Sequence, residues 1–218
     1  MKGLMVKDLL LLKNQSRFFL LIAAIAVIMV VSGMDASFIN MYITFIFSGF
    51  VLSTLSYDEF DNGYPYLLAL PVNRKGYVSE KYLFCLLMAS VSCVVSLLLV
   101  VLVLMFQKQP ILVGDLVATA IGNLLVVLIF FGISIPIRLK LGAEKGKYVY
   151  FGIAGVVAVL SLIGKEALER APETTVTQIN MWIDRMLPFL GVILIIGAIV
   201  VLVGSYLISL QIMKKKEF

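Results

Sequence analysis

The sequence has no histidine among its 218 residues, and it has only two cysteines and one tryptophan. It contains no Cys-x-x-Cys or His-Glu-x-x-His pattern, so neither a zinc site nor histidine-based acid–base chemistry has support. Serines are plentiful, but without a histidine partner a serine–histidine hydrolase is excluded. Cys85 and Cys93 lie about 12 Å apart along one predicted helix, too far for a disulfide. We expect both to be small, buried apolar residues.

Charge is also scarce. Only 14% of the residues are charged, 61% are hydrophobic, and the mean hydropathy is +1.07. A soluble domain is about 45–50% apolar and roughly 25% charged, and a soluble fold of this size could not bury so much apolar surface. The composition predicts an integral membrane protein with a single domain over residues 1–218.

Six apolar runs can each cross a bilayer, whose hydrocarbon core needs roughly 20 helical residues. They are Phe18–Met34, Phe38–Ser56, Tyr82–Phe106, Leu116–Ile137, Tyr148–Ile163 and Met186–Met213. We therefore predict an all-α membrane protein with six transmembrane helices. No charged residue lies well inside these runs, which argues against an ion-coupled carrier and against an intramembrane aspartyl protease.

The lysines and arginines are unevenly distributed between the two sides of the predicted bundle. Fourteen of the 18 lie in the N-terminal segment, in the connectors after the second and fourth spans, and at the C-terminus. The others are Lys108, Lys165, Arg170 and Arg185. Because cytoplasmic loops carry the excess of positive charge, we expect a multi-pass protein with both termini in the cytoplasm. The net charge of +5 reflects this topology and gives no reason to expect nucleic-acid binding.

Residues 1–17 combine apolar and basic positions, which predicts a short helix along the cytoplasmic interface, an elbow before the first span. A cleaved signal peptide is the alternative, since basic residues precede the first apolar run and small residues lie near its end, at Val31–Gly33. The outer turn Asp35–Ser37 is so short that the first two spans should form a tight hairpin. Small and weakly polar residues in the second span, such as Gly49 and Ser48, favour close helix packing, although a polar pathway wall would have a similar composition.

Pro136 predicts a boundary or kink at the end of the fourth span. The following residues, 141–147, predict a basic, glycine-containing connector. They also come nearest to a phosphate-binding loop, but only three residues separate Gly142 from Gly146, and Tyr148 stands where a serine or threonine must hold magnesium. The chain thus has no energy source of its own. The longest outer segment is predicted at 164–185.

The connector between the second and third spans, residues 58–80, is the longest polar interruption in the sequence. It opens on Asp58, Glu59 and Asp61, and two prolines then frame a short apolar segment. Asn73 is a capable N-cap for a helix that begins at Arg74. The result is a short cytoplasmic helix whose leucines either contact a partner protein or pack only on the chain's own bundle. The residues alone favour neither interpretation.

Nine residues in this connector and directly after it follow a pattern in which leucines precede Pro-Val-x-Arg, a valine and Lys-Tyr. They are Leu67, Leu68, Leu70, Pro71, Val72, Arg74, Val78, Lys81 and Tyr82. The pattern resembles the permease subunits of type-two ABC exporters, in particular the small six-span bacterial branch that includes exporters of phenol-soluble modulins and bacteriocins. Asn73 and Gly76 depart from it. The opening Met-Lys-Gly-Leu-x-x-Lys-Asp-Leu is similar too.

The resemblance implies a permease of the bacterial plasma membrane that is not itself an enzyme and holds no cofactor or metal. ATP and magnesium would bind a separate ATP-binding cassette subunit, and a second copy or a paralogous permease would complete the transporter. The connector would be the coupling helix, seated in a groove of the ATPase. The residues predicted to form this ATPase-coupling interface are Asp58, Glu59, Tyr66, Leu67, Leu70, Pro71, Val72, Asn73, Arg74 and Lys75.

The expected function is export of amphipathic or hydrophobic substrates, with peptides as the expected cargo. One alternative is an immunity or stress-sensing protein of the same architecture, which binds an ATPase but transports little. Another is a lipid-processing membrane enzyme. That enzyme would need a polar catalytic cluster, and only Asp58, Glu59 and Asp61 could provide one.

Overall fold

The computed structural model describes residues 2–60, 63–64, 73–106, 113–170 and 173–216, and within 151–190 it describes the backbone alone for most residues. The helices are α1 (Lys2–Asn14), α2 (Ser16–Val31), α3 (Ala36–Glu59), α4 (Arg74–Phe106), α5 (Val113–Arg170) and α6 (Glu173–Lys215). These ranges contain no strand. The prediction of an all-α protein is confirmed.

Within the described residues, four helical segments are long and apolar enough to cross a membrane. They are Ala36–Glu59, Arg74–Phe106, Val113–Gly146 and Gly191–Lys215. The helices α1 and α2 meet at a bend of 62° and form a fifth crossing if they are counted as one broken span. The chain is therefore a multi-pass membrane protein. The predicted fifth span, Tyr148–Ile163, falls where most side chains lie outside the description, so the total of six stays a prediction.

The tight turn predicted between the first two spans is present between α2 and α3, and it has a clear local cause. Gly33 has a φ of 75°, and the amides of Gly33 and Met34 donate to the carbonyls of Val30 and Met29, which is the glycine-dependent end of a helix. The Asp35 carboxylate then accepts from two amides in the first turn of α3, from Ser37 at 2.8 Å and from Phe38 at 3.1 Å. One helix is stopped and the next is started within four residues.

The helix α3 occupies the middle of the bundle, where it packs against α2, α4 and α5. Half of its most apolar stretch is buried, compared with 11% within Gly191–Lys215 of α6, so this part of α6 lies nearer the edge of the bundle. The small polar residues of α3 are buried too: Ser48 donates to the Thr44 carbonyl, and a Cβ at Gly49 would lie 3.6 Å from the Phe131 ring. These contacts favour the packing interpretation of this span over a polar pathway.

The predicted end of the fourth span at Pro136 is wrong, because α5 continues through Pro136 and is interrupted at Gly142. Gly142 has a φ of 78° and the helix resumes directly after it, so residues 141–147 form a one-residue break and not a connector. Pro136 is tolerated because the carbonyl it leaves without a helical donor, that of Gly132, accepts from the Ser205 hydroxyl of α6.

The cysteines are buried and free, as predicted. Cys93 donates weakly to the Ala120 carbonyl across the α4–α5 contact, at 3.6 Å. In the predicted outer segment 164–185, the described backbone is helical up to Arg170 and again from Glu173. The assignment of this segment to the outer side stays a prediction.

Candidate functional site

A cluster of five charged side chains lies at the end of the bundle where α1, α3 and α4 meet. We call it the charge cluster, and its members are Lys7, Asp8, Asp58, Glu80 and Lys81. The lysine of α4 is at its centre: Lys81 Nζ pairs with an Asp8 carboxylate oxygen, lies 2.9 Å from Asp58 Oδ2 and donates to Thr54 Oγ1 at 3.1 Å. Lys7 pairs with both aspartates from the rim.

Burial makes these contacts energetically important. The side chains of Asp8 and Lys81 are completely buried, and that of Asp58 is 4% exposed. A buried charge without a partner is strongly destabilising, and removal of one member of a buried pair typically costs about 3–5 kcal/mol. The charge cluster therefore holds α1, α3 and α4 in one arrangement.

The charge cluster is not balanced, since two lysines face three carboxylates. Glu80 is 1% exposed, and neither of its carboxylate oxygens has a hydrogen-bond partner among the described residues. Its nearest cation is Lys81, with Nζ 3.7 Å from Glu80 Oε2. Glu80 therefore receives less compensation for burial than either aspartate.

Two tyrosines extend the charge cluster within the predicted coupling connector. The Tyr77 hydroxyl donates to Asp58 Oδ2 at 3.0 Å, and its ring meets that of Tyr64 edge to face, with centroids 6.0 Å apart. Burial raises the pKa of Tyr64 well above its usual value, so this phenol stays neutral. The Lys216 ammonium lies 4.5 Å from the centre of the Tyr64 ring and donates to the Leu139 carbonyl.

Glu59 stabilises the break in α5. Its carboxylate accepts from the Ala143 amide at 2.6 Å, where it acts as a cap for the helix that resumes after Gly142. Any side chain at Gly142 would collide with it, because a Cβ there would lie 2.3 Å from Glu59 Oε1. The end of α3 therefore fixes the direction of the second half of α5.

The first turn of α4 is capped as predicted, and it also contacts the end of α6. Asn73 Oδ1 accepts from the Gly76 amide at 2.7 Å, which makes Asn73 the N-cap of a helix that begins at Arg74. The Arg74 guanidinium donates to the carbonyls of Met213 and Lys214, at 2.8 Å each. Because the last carbonyls of a helix lack intrahelical donors, this contact closes α6.

A network of polar hydrogen bonds begins at Tyr82, next to Lys81, and extends into the membrane-facing helices. The Tyr82 hydroxyl bonds the hydroxyls of Ser205 and Ser209, and Ser205 in turn donates to the Gly132 carbonyl. Each of these groups is buried and has a partner. This hydrogen-bond network links α4, α6 and α5, and it begins one residue after Lys81 of the charge cluster.

The predicted coupling residues thus fall into three groups. Asp58, Glu59 and Arg74 are engaged within the chain, and Asn73 and Lys75 are exposed. The remaining predictions lie outside the described residues, as does Asp61. They are Tyr66, Leu67, Leu70, Pro71 and Val72.

The sequence indicates no partner for Lys7, Asp8 or Glu80, and Lys81 is part of the connector pattern without an assigned contact. A signal was present at Lys81, which shares one helix face with Tyr77, Phe84 and Cys85. A cation on an apolar face that is otherwise buried requires a buried partner. The sequence does not show that the partner is Asp8, because the two residues are 73 positions apart.

Comparison with known proteins agrees with this architecture. Residues 3–214 match the family model described as "ABC-2 family transporter protein", and the chain therefore belongs to this family. It is a permease subunit of an ABC transporter, a class that pairs with an ATP-binding cassette subunit. No curated protein and no solved structure matched the chain.

Proposed function

We propose that this member of the ABC-2 transporter family is the permease of an ATP-driven exporter, which moves amphipathic or hydrophobic substrates, peptides foremost, out of a bacterial cell. A separate ATP-binding cassette subunit hydrolyses ATP, so this chain supplies no catalytic residue, cofactor or metal. A second copy or a paralogous permease completes the transporter in the plasma membrane, and both termini face the cytoplasm.

The observation that carries this proposal is the anchoring of the chain on both sides of residues 61–72. Before this segment, Asp58 enters the charge cluster and Glu59 caps the second half of α5. After it, Arg74 binds the last carbonyls of α6, and Lys81 pairs with α1. Displacement of the connector by a docked ATPase would therefore be transmitted to α1, α3, α4, α5 and α6.

The character of these contacts suits transmission of force. They are charged, buried or directed at helix ends, so a small displacement would break strong interactions unless the attached helices moved too. ATP-driven closure would push on the connector, and the charge cluster would move with it as a unit. The helices at the interface between the two permeases would then reorient.

The contacts of two carboxylates give the enzyme alternative less support than the permease. Of its three candidate carboxylates, Asp58 is bonded to two lysines and a tyrosine, and Glu59 to a helix amide. Asp61 lies outside the described residues. The sensor alternative shares the same fold and differs only in turnover.

Co-purification tests the proposal. The chain would be expressed with the ATP-binding protein encoded beside its gene, extracted in mild detergent and separated by size. We expect the two proteins to elute together and amphipathic peptides to stimulate ATP turnover. In proteoliposomes with ATP outside, labelled peptide should accumulate in the lumen. A stable complex without peptide stimulation would favour the sensor, and no association under any nucleotide condition would overturn the permease–ATPase coupling.

A further inference from the structure

A groove of about 460 Å³ lies between α5 and α6, at the end of the bundle that holds the charge cluster. Its walls are apolar and include Ile133, Pro136, Leu141, Gly204 and Ile208. The volume is within the range of about 300–1,000 Å³ that is typical of ligand sites. Its polar lining is confined to Ser205, whose hydroxyl is occupied by Tyr82 and Gly132, and to Lys140.

Two residues create the space. Gly204 contributes no side chain, and a Cβ at this position would meet nothing within 4 Å. Pro136 has no amide, and its ring lies in the groove wall while Ser205 satisfies the carbonyl one turn earlier. The groove between α5 and α6 therefore results from the glycine at position 204 and the proline at position 136.

The groove opens to the surroundings of the bundle. Several lining side chains are far from buried: Ile133 is 45% exposed, Val200 is 64% and Ile208 is 53%. In a membrane protein this surface faces hydrocarbon, where an acyl chain fills such a space better than water does. The occupant must therefore be apolar along most of its length.

Lys140 determines the polar end of the occupant. Its side chain is exposed at the groove's end and forms no ion pair within the described residues. Three further exposed lysines lie at this end of the bundle, Lys145, Lys214 and Lys215. Basic residues between transmembrane helices attract anionic headgroups, with about 1 kcal/mol for each lysine near the surface.

We propose that this groove binds one anionic phospholipid, with an acyl chain against Pro136 and Gly204 and the phosphate on Lys140. The match is one of charge as well as shape, because the groove is apolar along its walls and cationic at one end. A second copy of the chain is a poorer fit. Copies in one membrane share an orientation, so a second copy would bring its own lysine-rich end towards Lys140.

Native mass spectrometry on the purified full chain tests this proposal. The protein would be exchanged into micelles that contain equal amounts of phosphatidylglycerol and phosphatidylcholine, and retained lipids would be counted. Gly204→Phe fills the groove without a clash at Cβ. Gly191→Phe is its control, since Gly191 is an exposed glycine of the same helix with equally open space outside the groove. Lys140→Gln removes the cation, with Lys145→Gln as its control.

We expect the wild type to retain one phosphatidylglycerol molecule that Gly204→Phe loses. Lys140→Gln should weaken its retention about fivefold, the factor that corresponds to one surface lysine. Both controls should behave as wild type, and melting followed by circular dichroism should show that all variants are folded. Inorganic phosphate in excess should not displace the lipid, because it cannot occupy the apolar walls.

Three results would overturn the proposal. Retention of phosphatidylglycerol by folded Gly204→Phe would place the lipid elsewhere, and equal retention of phosphatidylcholine would remove the role of Lys140. Loss of a dimer in Gly204→Phe, measured by light scattering without any change in bound lipid, would assign the groove to a second copy. The proposal requires only a membrane location and does not depend on export.

Discussion

Lys81 and Asp8 form an ion pair in which both side chains are completely buried, although 73 positions separate them in the sequence. The pair joins the first helix of the chain to the helix that follows the predicted coupling connector. Asp58 adds a second carboxylate to the same ammonium, 2.9 Å away. The opening of the chain and its connector are thus joined by one buried cation.

Replacement of Lys81 should destabilise the protein. We expect Lys81→Met to lower the free energy of unfolding by about 3–5 kcal/mol, because it leaves buried carboxylates without their main partner. Thermal unfolding of the purified chain in detergent measures this. Lys75→Met, six residues away on the same helix and exposed, should stay within about 0.5 kcal/mol of wild type. Equal melting temperatures for the two variants would contradict the importance of the buried pair.

Replacement of Glu80 should have the opposite effect on stability from replacement of Lys81. Its oxygens are buried without hydrogen-bond partners, and the charge cluster has one carboxylate more than it has lysines. Glu80→Gln removes the surplus charge with little change in shape, so we expect unchanged or increased stability. Asp58→Asn is the matched control and should destabilise, because Asp58 bonds Lys7, Lys81 and Tyr77. A loss in Glu80→Gln as large as that in Asp58→Asn would show that Glu80 has an essential partner.

Gly142 should not tolerate a side chain. The backbone there has a φ of 78°, and a Cβ would lie 2.3 Å from the Glu59 carboxylate that caps the next helix. We expect Gly142→Ala to lower the free energy of unfolding by about 1–3 kcal/mol. Gly152→Ala in the same helix meets nothing within 4 Å and should be neutral or slightly stabilising in thermal melts. Similar melting of the two variants would argue against the break at Gly142.

The sequence predicted the helices and their local ends better than the contacts between them. Apolar runs of sufficient length identify spans, and Asp35 and Asn73 were predictable because a turn or cap depends on residues close by. The sequence predicts the end of the fourth span at Pro136, whereas the helix is interrupted at Gly142. The carbonyl that Pro136 leaves without a helical donor is bonded by Ser205, which belongs to another helix. The effect of Pro136 on α5 could not be deduced from the sequence, because it depends on how α5 packs against α6.

The charge cluster illustrates the same limit. Charge patterns showed that the spans lack internal charges, but they could not pair Asp8 with Lys81, since pairing across 73 positions depends on how α1 packs on α4. Asp58 and Glu59 were predicted to face an ATPase because the resemblance to exporter permeases makes the whole connector the coupling helix. In the structure both residues lie in the last turn of α3, and both are bonded within the protein.

The Pro136–Ser205 pair can be tested as a unit. Ser205→Ala alone should destabilise by about 1–3 kcal/mol, because the buried Gly132 carbonyl loses its donor. In a Pro136→Ala background, the new amide at position 136 can donate to that carbonyl within the helix. The same serine replacement should then cost less, and a double-mutant cycle from chemical unfolding measures the difference. An equal cost in both backgrounds would mean that the serine acts mainly through Tyr82.

The neighbours Arg74 and Lys75 separate the coupling role of the connector from its structural role. Arg74 closes α6 through two carbonyls, so Arg74→Glu should both destabilise the chain and weaken ATPase binding. Lys75 is exposed beside it, and Lys75→Glu changes a charge at the predicted interface without disturbing a described contact. We expect Lys75→Glu to melt as wild type and to retain less ATPase in pull-down, while Lys145→Glu, exposed at the break in α5, retains normal amounts. Lower recovery of the ATPase by both Lys75→Glu and Lys145→Glu would indicate that general charge attraction controls binding. A specific docking surface would respond only to the charge that lies within it. Normal recovery in Lys75→Glu would remove this residue from the interface and leave the coupling assignment to residues 66–72.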